Sequence, residues 1–188
     1  MHFKLLVITL FIVASLFSKS IGIITTNDLH GNIAPQKAWF MNPSFPPDIL
    51  GGAGLIKYIN ESREISDSEI FVFDAGNFFQ GHPFGMVDGG SQVISWMNRA
   101  GYTALVPGAN DFILGSENLN RLANEANFPF IISNIKCNKC NLDSDNIKPY
   151  IIKDIDGIKV GILGIINTAI PDLTSSVNIK GIEFENSI

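Results

Sequence analysis

Asp28 and His30 stand two positions apart in the run Thr25-Thr26-Asn27-Asp28-Leu29-His30-Gly31-Asn32, directly after the apolar stretch Ile21 to Ile24. A carboxylate and an imidazole so placed suit a divalent transition metal, an ion that polarises a phosphoryl oxygen and makes hydroxide from bound water. Asp74-Ala75-Gly76-Asn77 and Gly108-Ala109-Asn110-Asp111-Phe112 occupy the same kind of position after later apolar runs. They bring amides and an alanine where metal chemistry favours carboxylate and imidazole. Taken singly, each of these polar residues is more often a helix cap or a turn former. The series of such positions is what points to one shared site.

Alternating elements must bring these loops together. Strand-like runs cover Ile21 to Thr26, Ile70 to Asp74, Thr103 to Val106, Pro129 to Ser133, Tyr150 to Ile155 and Ile158 to Ile166. Between them, Leu55, Ile56 and Ile59 in Gly54 to Glu64, Val93, Ile94 and Met97 in Ser91 to Ala100, and Leu119, Leu122 and Ala123 in Ser116 to Ala126 repeat at helical spacing. Ser116 is a candidate N-cap, and Phe128-Pro129 ends the third helix. Asp156-Gly157 has the two-residue turn chemistry of a hairpin. The stretch Ala34 to Leu50, with four prolines plus Trp39, Phe40 and Phe45, has no period and reads as a long surface loop. No linker or repeat divides the chain, so one α/β unit is predicted.

In such sheets ligands collect outside the carboxyl ends of the strands. Asp28 and His30 follow the first strand, Asp74 and Asn77 the second, Asn110 and Asp111 the third, and Asn134 the fourth, so all are predicted on one rim. Gly31, Gly76, Gly81 and Gly108 lie beside them, where backbone must turn tightly. His82, after Gln80-Gly81, is either a loop histidine or one more imidazole for that rim.

The bulk numbers agree with a folded domain. With 188 residues and 46% hydrophobic content, the chain is long enough for a sizeable core. Thirteen basic residues scattered through a chain of net charge −5 give no footprint for a nucleic-acid polymer. Residues 1–20 read as a signal peptide, with Leu5 to Phe17 free of charge and Ser18-Lys19-Ser20 as a cleavage region, which predicts export and residues 21–188 as the mature domain. That run is shorter than the roughly 20 residues of a spanning helix, so no stable membrane span is expected after cleavage. No cysteine lies near the cleavage point to carry a lipid. Cys137 and Cys140 are the only cysteines, in a polar stretch. A local disulfide is expected there in an oxidising compartment, rather than a redox centre or a structural zinc site.

Four blocks, Thr26-Asn27-Asp28-Leu29-His30-Gly31, Gly51-Gly52, Asp74-Ala75-Gly76-Asn77-Phe78-Phe79-Gln80-Gly81 and Gly108 to Gly115, resemble the ordered motifs of the 5′-nucleotidase branch of the calcineurin-like metallophosphoesterases. Phe128-Pro129-Phe130, Ser133-Asn134-Ile135 and the Gly157 to Gly164 segment fit that order. The resemblance implies an α/β fold of the metallophosphatase type, a β-sandwich flanked by helices, of which this chain is the truncated first half. It implies hydrolysis of nucleotides or other phosphate esters with divalent metal such as Mn or Zn, and makes Asp28 and His30 ligands of the first ion. Asn77 falls on the aspartate that bridges two ions, Ala109 on an asparagine ligand, Asn110 on the phosphoryl-stabilising histidine, and Ile113 on the aspartate that orients it. A one-residue slip would instead make Asn110 a ligand with Asp111 behind it. An amide brings no charge to a bridging position, so one ion rather than two is expected, and with it a chain weakly active or inactive alone. The other expectation is a non-catalytic metal- or phosphate-binding module.

Overall fold

In the computed structural model, which describes residues 20–186, the apolar runs become neighbours in one parallel sheet. β1 (Ile21–Thr26) pairs with β4 (Glu69–Asp74), from Ile21 opposite Glu69 to Thr26 opposite Asp74. β5 (Ala104–Leu105), β6 (Phe130–Ile131) and β8 (Ile147–Lys148) follow in parallel, in the order β1-β4-β5-β6-β8. Parallel neighbours need long crossovers, and three helices supply them. α1 (Gly52–Ile65) joins β1 to β4, α3 (Ser91–Ala100) joins β4 to β5, and α4 (Gly115–Glu125) joins β5 to β6. A shorter helix, α2 (Pro83–Met86), precedes α3.

The predicted helical stripes face the sheet. α1 buries Ile59, α3 buries Val93, Ile94, Trp96, Met97 and Ala100, and α4 buries Leu119, Leu122 and Ala123. Phe78, Phe79, Phe112 and Phe130 are fully buried in the same core. Phe78 packs edge-on against Phe130 with centroids 6.0 Å apart. Three of these rings belong to the rim loops, so burying them anchors the neighbouring polar residues to the core; each such ring contributes roughly 1.5–3 kcal/mol by leaving water.

Across the other face of the sheet lies the antiparallel hairpin of β9 (Tyr150–Ile155) and β10 (Ile158–Leu163). Its turn is Asp156-Gly157, at φ 50° and 86° as the primed hairpin turn requires. An apolar gap of about 390 Å³, lined by Ile23, Phe73, Val106 and Ile162 among others, separates hairpin and sheet. β7 (Ile135–Cys137) pairs with β11 (Ile182–Phe184), after a short helix α5 (Ile170–Leu173). Cys137 and Cys140 are joined in a disulfide beside that ladder.

Three local readings change. Ser116 is not the N-cap of α4: Leu114 holds that position and Ser116 lies inside the first turn, its N–H bonded to the carbonyl of Asn178. The Ala34 to Leu50 loop is not structureless, since β2 (Gln36–Lys37) and β3 (Asp48–Ile49) close its base. The strand expected over Pro129 to Ser133 is short because Ser133 leaves the ladder, its N–H going to Gly164 and its hydroxyl to Pro149. The signal-peptide expectation falls outside the described residues apart from Ser20. Among the described residues no helix is long and apolar enough to cross a membrane.

Candidate metal centre

The loop after β1 is zipped to the loop after β4 by a run of backbone hydrogen bonds. Asp28, His30 and Gly31 donate their N–H groups to the carbonyls of Gly76, Asn77 and Phe78, at 2.9, 2.9 and 2.8 Å. Glycine at Gly76 is required twice over. Its φ is +98°, and a Cβ there would lie 2.2 Å from the backbone nitrogen of Gly108. The second and third loops therefore touch through bare backbone. Asp28, His30 and Asn77 all have left-handed backbone, with φ of 52°, 49° and 56°. That region is sparsely populated by residues with a side chain, and where it recurs it clusters at functional sites.

Asp28 and His30 point into the same space. His30 Nε2 lies 3.7 Å from Asp28 Oδ1, with 39% and 54% of the two side chains exposed. The Nδ1 of His30 is 2.6 Å from the carbonyl of Gln80. A carbonyl only accepts, so Nδ1 donates to it and Nε2 is the ring nitrogen left on the Asp28 side. Hydrogen bonds from Asn77 and Asn27, with a smaller contribution from His30, hold the Asp28 carboxyl below its ordinary value despite some desolvation. It stays ionised into acid.

Asn77 completes the group with reversed polarity. Its Nδ2 donates to Asp28 Oδ1 at 2.7 Å, while its Oδ1 accepts the Asn110 N–H at 3.0 Å. That N–H can only donate, which fixes the oxygen on the Asn110 side and the amine on the Asp28 side. A residue bridging two cations would need oxygen where Asn77 puts N–H. Asp28 and His30 are thus the two side chains here that could offer donor atoms to an ion, and Asn77 turns N–H toward Asp28. Among the described residues no group of three or more His, Cys, Asp or Glu side chains is placed to hold a metal.

Two carboxylates predicted on the rim turn inward instead. Asp111 is fully buried and accepts N–H groups from Asn77 at 2.7 Å, Phe78 at 2.9 Å and Gly108 at 2.8 Å, binding the second loop to the third. Burial pushes it up to about 7, against the pull of those N–H donors. Asp74, also buried, accepts the Thr26 hydroxyl at 2.6 Å and the Gly76 N–H at 2.8 Å. Burial raises it to about 6. Thr26 spends its proton on Asp74, so the Tyr102 hydroxyl, 2.9 Å away, donates to Thr26. Burial moves the Tyr102 hydroxyl well above its ordinary value. This Tyr102-Thr26-Asp74 relay was missed in the sequence: Tyr102 is 76 positions from Thr26 and no local pattern marks it.

The remaining sequence candidates divide. Asn110 lies beside Asn77 through its backbone, and Ile113 is 41% exposed at the end of the 3₁₀ turn Ala109–Phe112. His82 caps α2, its Nδ1 accepting the Phe84 N–H at 3.2 Å, which gives it a turn-forming role. Asn134 is not on the rim. It is buried, donating to Ile166 and Glu185 carbonyls and accepting the Ile166 N–H.

A parallel sheet whose strand-end loops converge on an exposed Asp-x-His pair is the architecture of the calcineurin-like phosphoesterases. A phosphoesterase of that name from Bacillus subtilis superposes over 88% of this chain and 54% of its own, with a TM-score of 0.65 at 21% identity. Within that class the chain is a relative of the 5′-nucleotidases. It is 30% identical over 163 residues to a snake venom 5′-nucleotidase of Gloydius brevicauda, an alignment covering 84% of this chain and 27% of that protein. A 5′-nucleotidase precursor from Thermus thermophilus shares the fold with a TM-score of 0.75 at 22% identity, over 88% of this chain and 32% of that one. The chain thus spans about 27% of the length of that curated relative. No known family profile matches it.

Proposed function

We propose that this chain is the metal-binding part of an exported 5′-nucleotidase-like phosphoester hydrolase, with a centre that takes one divalent ion rather than two. Asp28 and His30 hold the ion, and a nucleotide or another small phosphate ester is the ligand. The observation that supports this reading is the Asn77 amide, which donates to Asp28 at 2.7 Å and so turns N–H rather than oxygen toward that carboxylate. Bound at Asp28 and His30, a divalent ion would supply positive charge to a phosphoryl oxygen. The protein's own part is to anchor His30 through Nδ1, leaving Nε2 on the Asp28 side, and to keep Asp28 ionised, so that the two side chains face one space without rearrangement.

The same geometry makes turnover weak. Ala109 has no donor atom, Asn110 offers an amide in place of an imidazole, and Ile113 has no carboxylate to orient one. Each lost electrostatic partner of this kind is worth roughly 2.7 to 4 kcal/mol, so the loss of two lowers the rate on the order of 10⁴-fold. A non-catalytic module that binds metal or phosphate ester is the second reading, favoured by those same three residues. Manganese or zinc titration, with turnover of a nucleotide monophosphate, separates the two. One ion per chain with slow, Asp28-dependent hydrolysis supports a weak enzyme, and one ion with none supports the module. The combined variant Asn77→Asp, Ala109→Asn, Asn110→His, Ile113→Asp is expected to take a second ion. Two ions and brisk turnover in the unaltered chain would defeat both readings.

A further inference from the structure

The loop between β2 and β3 is a protruding apolar tip, and the site described above makes no use of it. From Ala38 to Pro47 it contains no charged residue. Trp39, Phe40, Met41 and Phe45 are 60%, 82%, 66% and 83% exposed. Scattered exposed apolar residues are ordinary, but four within seven positions form a patch that calls for an explanation.

The tip is held in that shape. The β2–β3 ladder closes its base, reinforced by the Lys37–Asp48 ion pair at 2.6 Å. Ala38 is fully buried and donates its N–H to the Pro47 carbonyl, and Met41 donates to Ala38. The Asn42 side chain accepts the N–H groups of Ser44 and Phe45 at 3.1 and 3.0 Å. Pro43, Pro46 and Pro47 carry no N–H at all. The backbone donors of Ala38, Met41, Ser44 and Phe45 are thus met inside the loop, and the first charges lie at its base.

We propose that this tip inserts into the interfacial layer of a lipid bilayer. Meeting four of its seven backbone N–H groups internally lowers the cost of taking the tip out of bulk water as far as the interfacial layer. Tryptophan and phenylalanine with no charge among them are the residues that settle at that depth. Lys37 and Asp48 would stop it at the headgroups. With a net charge of −5 the chain is repelled by anionic lipid, so a zwitterionic surface is the better match.

The test uses the full chain with a Trp96→Phe change. Trp39 is then the single tryptophan; the Trp96 Nε1 it removes is buried and has no hydrogen-bond partner. Added phosphatidylcholine vesicles should shift Trp39 emission to the blue, and a quencher carried on the upper acyl chain should quench it. The further variant Phe40→Ser, Met41→Ser, Phe45→Ser should lower partitioning by more than about tenfold. The apolar Leu5 to Phe17 run is present in every variant and cancels in the comparison. Three results overturn the proposal: Trp39 emission indifferent to vesicles; equal partitioning of the serine variant; or a concentration-dependent blue shift without lipid, lost in the serine variant, which would assign the tip to a second copy of this chain. None of these bears on metal binding at Asp28, so the proposed function and this inference can fail separately.

Discussion

Asp28 and Asp111 are carboxylates on the first and third strand-end loops, and they do opposite work. Asp28 faces water beside His30, with amides on both sides holding its carboxyl below the ordinary value. Asp111 faces inward to three backbone N–H groups, and burial raises it to about 7. Residue type does not separate an exposed carboxylate from a staple; direction and burial do. The first loop carries the proposed ligands, and Asp111 on the third loop braces the second.

The sharpest way to break this contrast is to remove each carboxylate in turn. Asp28→Asn should abolish measurable manganese or zinc binding by calorimetry while leaving the melting temperature within about 2 °C, since exposed substitutions rarely exceed ±0.5 kcal/mol. Asp111→Asn should do the reverse in emphasis. Its amide cannot accept all three N–H groups, and at least one buried donor faces another. That costs about 1–3 kcal/mol, or roughly 2–4 °C of melting temperature per kcal/mol at this size. Metal affinity should fall only by the roughly 10–100-fold that a lost supporting partner costs. If Asp111→Asn abolished metal binding with its stability intact, Asp111 would be a ligand and the contrast would collapse.

The sequence revealed the alternation of strands and helices because the apolar periods were strong: α3 matches Ser91 to Ala100 at both ends. It placed Asp28 and His30 side by side because both fall on a single loop. It misplaced Asp74 and Asn134, since a polar residue after an apolar run looks the same whether it points out or in. Phe78 and Phe112 determine the direction of the neighbouring polar groups, and their burial depends on packing across the sheet, which no local window contains. The Thr26-Tyr102 bond was invisible for the same reason.

A smaller effect sharpens the comparison further. Tyr102→Phe removes the hydroxyl that donates to Thr26, without emptying the space its ring fills between Trp96 and Phe128. The expected cost in urea unfolding is about 0.5–1.5 kcal/mol. A loss of metal affinity as large as that of Asp28→Asn would show that the relay acts at the site itself.

The smallest effect is a slope in pH. Burial raises Asp74 from 3.8 in the unfolded chain to about 6 in the native protein. The native state therefore binds that proton more tightly. The stability it adds is complete below about pH 4 and is lost as pH rises through about 6. Asp111, raised to about 7, adds a second decline slightly higher. Asp74→Asn should erase the first part alone. The amide still accepts the Gly76 N–H, and by donating to Thr26 it turns the threonine hydroxyl toward Tyr102. Urea midpoints from pH 4.5 to 7.5 should then fall less steeply in the variant than in the unaltered chain, with the remaining decline, that of Asp111, levelling off above about pH 7. Identical slopes in the two proteins would mean that Asp74 is ionised throughout, and that the Thr26 hydroxyl and the Gly76 N–H outweigh its burial.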